Sequence, residues 1–209
     1  SALLEAMQEK QVTIGETTFK LDRPFLVMAT QNPVDQEGTY PLPEAQVDRF
    51  MMKVNIEYPS KTDELEVMRR MTNASFTSEV NPILDKDDIF AIRNAINEVK
   101  IAEALENYII EMVFSTRFPE KYGMHAEAKY IQFGASPRAS INLNLAAKAN
   151  AFMQGRDYVL PEDIKEIAED VLNHRIILNY EAEADNVSTR DLINKILEKI
   201  PLNKTAGIQ

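Results

Sequence analysis

The sequence predicts a chain of the α/β plus all-α class, with a strand-bearing segment over residues 1–58 and a helical domain over residues 60–209. Three observations predict it. FLVMA at 25–29 and FMMKVNIEYP at 50–59 are nearly continuous in apolar residues, as parallel strands covered on two faces are. QVTIGETTFKL alternates on either side of Gly15-Glu16, the pattern of a small hairpin. Beyond Pro59 the apolar residues switch to helical spacing and keep it.

Each element follows from local chemistry. SALLEAMQEK, with Leu3, Leu4 and Met7, reads as an amphipathic helix at the very start of a chain without an initiator methionine. Gly15 at the first central position suits a two-residue type II′ turn. After the FLVMA strand, Gly38, Pro41 and Pro43 mark a loop leading to a helical EAQVDR and then to the second strand. Ser60 caps an acidic first turn of a helix carrying Leu65 and Met68. Asp85 or Lys86 starts another, with Ile89, Ile92, Ile96 and Val99 on one stripe. Leu105, Ile109, Met112 and Val113 mark a third helix, Ile141, Leu145, Ala149 and Phe152 a fourth. Ile164, Ile167, Val171 and Leu172 mark a fifth, opened by a proline-first LPEDI, and Leu192, Ile193, Ile196 and Leu197 a last one. A short local hairpin is expected around 130–133. The junction at Tyr58-Pro59-Ser60 is the expected hinge, because proline disfavours helix at the residue before it.

Composition narrows the function. The 209 residues are 44% hydrophobic, enough for one good core or two modest ones. With 33 acidic against 23 basic side chains the formal charge is −10, which argues against non-specific binding to nucleic acid or an anionic membrane surface. There is no cysteine, and the two histidines, His125 and His174, are far apart, so no structural metal site is expected. No apolar run approaches the roughly 20 residues of a membrane span, and no signal-peptide pattern opens the chain. The expectation is a cytoplasmic protein.

Three polar positions stand out. Asn32 ends the first buried strand, where open α/β sheets place ligand-binding residues, although Asn-Pro also simply starts a turn. Arg49 sits between a short helix and a buried strand; for an arginine taken alone, a surface ion pair with Glu44, Glu37 or another acid is the better account. Arg138 falls in the first turn of the helix capped by Ser136 and opened by Pro137. That end of a helix favours anions, so the cation needs an anion of its own or an escape into solvent. A phosphate suits both partners.

Taken in order, ATQNP, LPEAQVDRF, GASPRA, GRDYVLPEDI, VLNHRI and EAEA resemble the MoxR branch of the AAA+ ATPases over essentially the whole chain. The resemblance implies a remnant of the AAA+ parallel-sheet core with a β-hairpin insertion over 1–58, followed by a helical lid domain over 60–209. It makes Asn32 the sensor-1 residue facing the γ-phosphate and attacking water, Arg49 the arginine finger offered to a neighbouring subunit, and Arg138 the sensor-2 arginine. ATP and Mg2+ are implied as well. Yet no G-x-x-x-x-G-K-[ST] occurs, and no apolar strand ends in Asp-Glu to hold magnesium. The expectation is therefore the carboxyl-terminal part of such an ATPase, inactive as this chain alone. The implied partners are copies of itself in a hexamer and client proteins, often with a von Willebrand factor A domain. The alternatives are a non-catalytic adaptor on an ATPase-like scaffold and a magnesium-chelatase-like motor subunit.

Overall fold

The computed structural model describes residues 2–31, 42–73 and 80–202. Helix α1 (Ala2–Glu9) leads into β1 (Gln11–Ile14) and β2 (Thr17–Lys20), an antiparallel hairpin with Ile14 opposite Thr17 across a two-residue turn. Gly15 takes φ 63° while Glu16 does not turn positive, which fits a II′ turn and excludes I′. Glu5 ties helix to hairpin by accepting from the Thr13 N–H at 3.1 Å and the Gln11 amide at 3.2 Å.

The two expected strands differ from the reading. Residues 25–29 and 50–57 form no ladder with any described residue. Apolar character alone does not make a strand: without a neighbour its N–H and C=O groups stay with water. Leu26, Met28, Val54 and Ile56 are correspondingly 78, 82, 64 and 93% exposed.

Helices α2 (Glu44–Val47), α3 (Lys61–Met71) and α4 (Lys86–Glu98) follow. The Ser60 side chain caps α3 by accepting from the Asp63 N–H, and Asp85 and Asp88 form a reciprocal capping box on α4. Neither α3 nor α4 contributes a buried residue. The core lies further on, in α5 (Glu103–Arg117), α7 (Pro137–Met153), α8 (Pro161–Leu172) and α10 (Thr189–Lys199). The short α6 (His125–Ala128) and α9 (Tyr180–Ala184) cover its ends. The expected local hairpin near 130–133 is instead a long-range pair, β3 (Ile131–Phe133) antiparallel to β4 (Ile177–Leu178).

The face of α7 is a correction. Ile141 and Leu145 are 58 and 44% exposed, and the buried stripe is Ala139, Leu143, Ala146, Ala147 and Ala151. Alanines give little contrast in a hydropathy pattern, yet at this spacing they let α7 lie close against α5 and α8.

Gly134 and its neighbours fix where α7 begins. A Cβ on Gly134 would stand 2.5 Å from the Thr116 carbonyl oxygen and 2.8 Å from the Arg117 nitrogen, so this backbone passes directly over the end of α5. The Ala135 N–H then donates to Thr116 Oγ1 at 2.9 Å, and Arg117 Nε donates to the Ala135 carbonyl at 2.7 Å. Ser136 is thereby held in place to cap α7.

Candidate functional site

The first turn of α7 meets the segment after α2. Ser136 Oγ accepts from the Arg138 N–H at 3.2 Å and donates to the Asp48 carboxylate at 2.9 Å. Arg138 Nη1 reaches the same carboxylate at 3.0 Å. The anion that the sequence required for this cation is, here, Asp48.

A second arginine completes the node. Arg175, three residues past the end of α8, has a fully buried side chain and donates from Nε to Asp48 Oδ1 at 3.1 Å. Its terminal nitrogens donate to the carbonyls of Asp48 at 3.0 Å and Met51 at 3.2 Å, and to those of Phe50 and Val171. His174 Nε2 pairs with the Phe50 carbonyl at 3.1 Å, and the Lys53 N–H donates to the Asp170 carbonyl at 2.8 Å. Residues 48–53, which carry no regular structure after α2, are thus fastened to the end of α8.

The electrostatics follow from this crowding. Burial pushes the Asp48 carboxyl up, but the Ser136 hydroxyl, the Arg138 hydrogen bond and the Arg175 charge outweigh it and hold the group below the usual carboxylate range. Burial, with the Arg175 charge beside it, depresses His174 to about 4, so the ring is neutral at pH 7. Its Nδ1 is buried without a hydrogen-bond partner among the described residues. A cavity of about 160 Å³ opens beside the node, lined by Asp48, Ser136, His174 and Arg175.

Of the residues expected from sequence, Arg138 bonds to Asp48, the residue before Arg49 in the chain. Asn32 lies outside the described residues. Arg49 makes no ion pair with Glu44, and Glu37 lies outside the described residues; Arg49 Nε is buried and has no hydrogen-bond partner among the described residues. Asp48, His174 and Arg175 were missed. The available signal was an Asp next to the singled-out Arg49, and a His-Arg pair lying between an apolar helix end and Ile176-Ile177.

A second polar cluster holds α8. Asp163, 2% exposed, accepts from both Arg156 terminal nitrogens, from the Leu160 N–H at 2.7 Å and from the Asn150 amide at 3.2 Å. It caps its own helix while tying it to α7 and to the loop between them. This is the structural content of GRDYVLPEDI.

Residues 1–52 match the family model described as ATPase family associated with various cellular activities (AAA), and residues 124–196 match the AAA lid domain. The chain is 46% identical to the chaperone MoxR1 of Mycobacterium tuberculosis over 208 residues, all of this chain and 55% of that protein. It is 39% identical to the uncharacterised protein YeaC of Bacillus subtilis, over 99% of this chain and 62% of that one. A crystal structure of a candidate ATPase from Cytophaga hutchinsonii superposes with a TM-score of 0.91 at 66% identity, covering 97% of this chain and 61% of that one. A core-derived segment joined to a lid defines the class, an AAA+ ATPase. The chain belongs to its MoxR branch. It spans between 55 and 62% of the length of these relatives.

What the described residues offer a nucleotide is partial. Arg49 and Arg138 carry guanidinium groups, which suit phosphate oxygens, and Arg49 Nε has no hydrogen-bond partner among the described residues. Among the described residues no group of three or more His, Asp or Glu could hold a metal ion. No helix among the described residues is long and apolar enough to cross a membrane.

Proposed function

We propose that this chain is the hairpin-to-lid portion of a MoxR-type ATPase that couples ATP hydrolysis to the remodelling of partner proteins. The observation that supports the reading is the node itself: the lid-borne Arg138 pairs with the carboxylate of Asp48, the residue that precedes Arg49 in the chain. Arg138 acts on the nucleotide of its own subunit, exchanging Asp48 for phosphate oxygens. Arg49 is offered across a subunit boundary, where it neutralises charge that builds up as the phosphoryl group departs. Asn32 orients the attacking water through a neutral amide, which adds no repulsion. The assembly is a homo-oligomer, a hexamer in this reading, and its clients include proteins with a von Willebrand factor A domain. Magnesium and the phosphate cradle come from sequence beyond this chain.

The test uses the longer ATPase. Arg49→Ala is expected to lower turnover by about 10³ or more, the scale of arginine fingers, with nucleotide affinity within a few-fold. Arg138→Ala is expected to weaken nucleotide binding instead. The 209-residue chain by itself is expected to show no micromolar ATP binding in calorimetry, since its sequence contains no G-x-x-x-x-G-K-[ST] phosphate loop. Undiminished turnover by Arg49→Ala refutes the finger assignment; tight binding by the short chain refutes the division of labour.

A further inference from the structure

We infer that Arg175 is the positioning residue for Arg49: through Asp48 and the carbonyls on either side of Arg49, it locks the finger to the lid. This rests on the reading of Arg49 as a finger. Arg49 lies within a stretch, 48–53, that has no helix or strand of its own after the turn that closes α2. Such a stretch ordinarily leaves its side chains free to wander, and a finger needs its guanidinium placed to within a fraction of an ångström. Here the rigidity is supplied from outside. Arg175 has its side chain fully buried, and the guanidinium spreads over the carbonyls of Asp48, Phe50 and Met51 and the Asp48 carboxylate. These acceptors bracket Arg49 on both sides in sequence. The guanidinium also donates to the Val171 carbonyl in the last turn of α8, so the clamp is anchored in the lid core.

The chemistry explains the residue type. Only a guanidinium presents five N–H donors in one plane, enough to hold several carbonyls and a carboxylate at once; an ammonium at the same place is a point charge with a shorter reach. The Asp48 carboxylate has a second partner in Arg138. The clamp for the finger and the arginine that reads the subunit's own nucleotide therefore share one anion. A change in what Arg138 binds alters the hold on the segment that serves the neighbour.

The test is a double-mutant cycle in the assembled ATPase, with kcat and KM for ATP measured separately. Arg175→Lys is expected to lower kcat at least tenfold with KM within three-fold of the parent. On an Arg49→Ala background the same change is expected to cost less than three-fold, because there is no finger left to place. Arg175→Lys subunits mixed with subunits defective in the phosphate loop are expected to regain turnover, as Arg49→Ala subunits do. Where Arg175→Lys does not assemble, the isosteric Asp48→Asn takes its place in the cycle, with an expected loss of three- to tenfold that vanishes on the Arg49→Ala background. Losses that multiply in the double variant, a KM that rises in step with the loss of kcat, or parental kcat in the single variant overturns the inference. Parental turnover by Arg49→Ala would instead remove the finger reading on which it rests.

Discussion

Acid should loosen the node through one histidine. His174 is held at about 4 in the fold by burial and by the Arg175 charge, with Lys53 acting in the same direction and Asp48 against it, whereas its ordinary value is 6.5. The unfolded chain therefore binds more protons than the native one between these values. The stabilisation is fully present above about pH 6.5, declines as the pH falls, and levels off below about 4. Between pH 7 and pH 5 the two values correspond to roughly 1.8 kcal/mol, and partial solvation beside the neighbouring cavity reduces this to about 1–1.5 kcal/mol. With a urea dependence of about 2 kcal/mol per molar, that is a fall of about 0.5–0.8 M in the unfolding midpoint. The assay is urea unfolding followed by circular dichroism at both pH values for the parent and for His174→Gln, whose amide can still donate to the Phe50 carbonyl. Asp170, raised by burial and by the Glu169 charge, titrates with the opposite sign but is common to both chains. The variant should lose less stability than the parent over this interval. Equal losses would refute the assignment of the acid sensitivity to His174.

Two further substitutions probe the frame around the node. Gly134→Ala places a methyl against the Thr116 backbone, which cannot swing away as a side chain would; it should cost about 2 kcal/mol or more by thermal melting, and it should weaken the Ser136–Asp48 contact, seen as a shift of the Ser136 amide resonance. Asp163→Ala leaves the Arg156 guanidinium and the Leu160 N–H without their acceptor; a loss of roughly 2–4 kcal/mol is expected in chemical denaturation, and a variant as stable as the parent would show that the cluster is replaceable by water.

What could be read from sequence was whatever is decided within one turn of chain. Ser60, Asp85 and Ser136 cap helices in the structure because a side-chain oxygen two or three residues from a free N–H needs nothing from elsewhere in the fold. The stripes of α5, α8 and α10 were legible because their large apolar residues face one way. On α7 Ile141 and Leu145 point outward and, Leu143 apart, the residues facing the core are alanines, which no apolar count detects. The partner of β3 lies more than forty residues along the chain, beyond any local signal. The same holds at the site. Arg138 could be read as a cation at the wrong end of a helix, but its anion, Asp48, is 90 residues away. Arg175 stayed hidden because a buried arginine is defined by its acceptors, and four of its five are main-chain carbonyls, which every residue type carries alike.

The alanine face of α7 bears on how the lid can respond. Alanine has no χ angle, so a contact made of Ala139, Ala146, Ala147 and Ala151 has no alternative rotamers into which a small displacement could be absorbed. A contact of leucines and methionines yields by reshuffling methyl groups; one of alanines is stiffer, so a displacement of α7 would be expected to carry α8 with it. At the far end of α8 stand His174 and Arg175, holding the carbonyls on either side of Arg49.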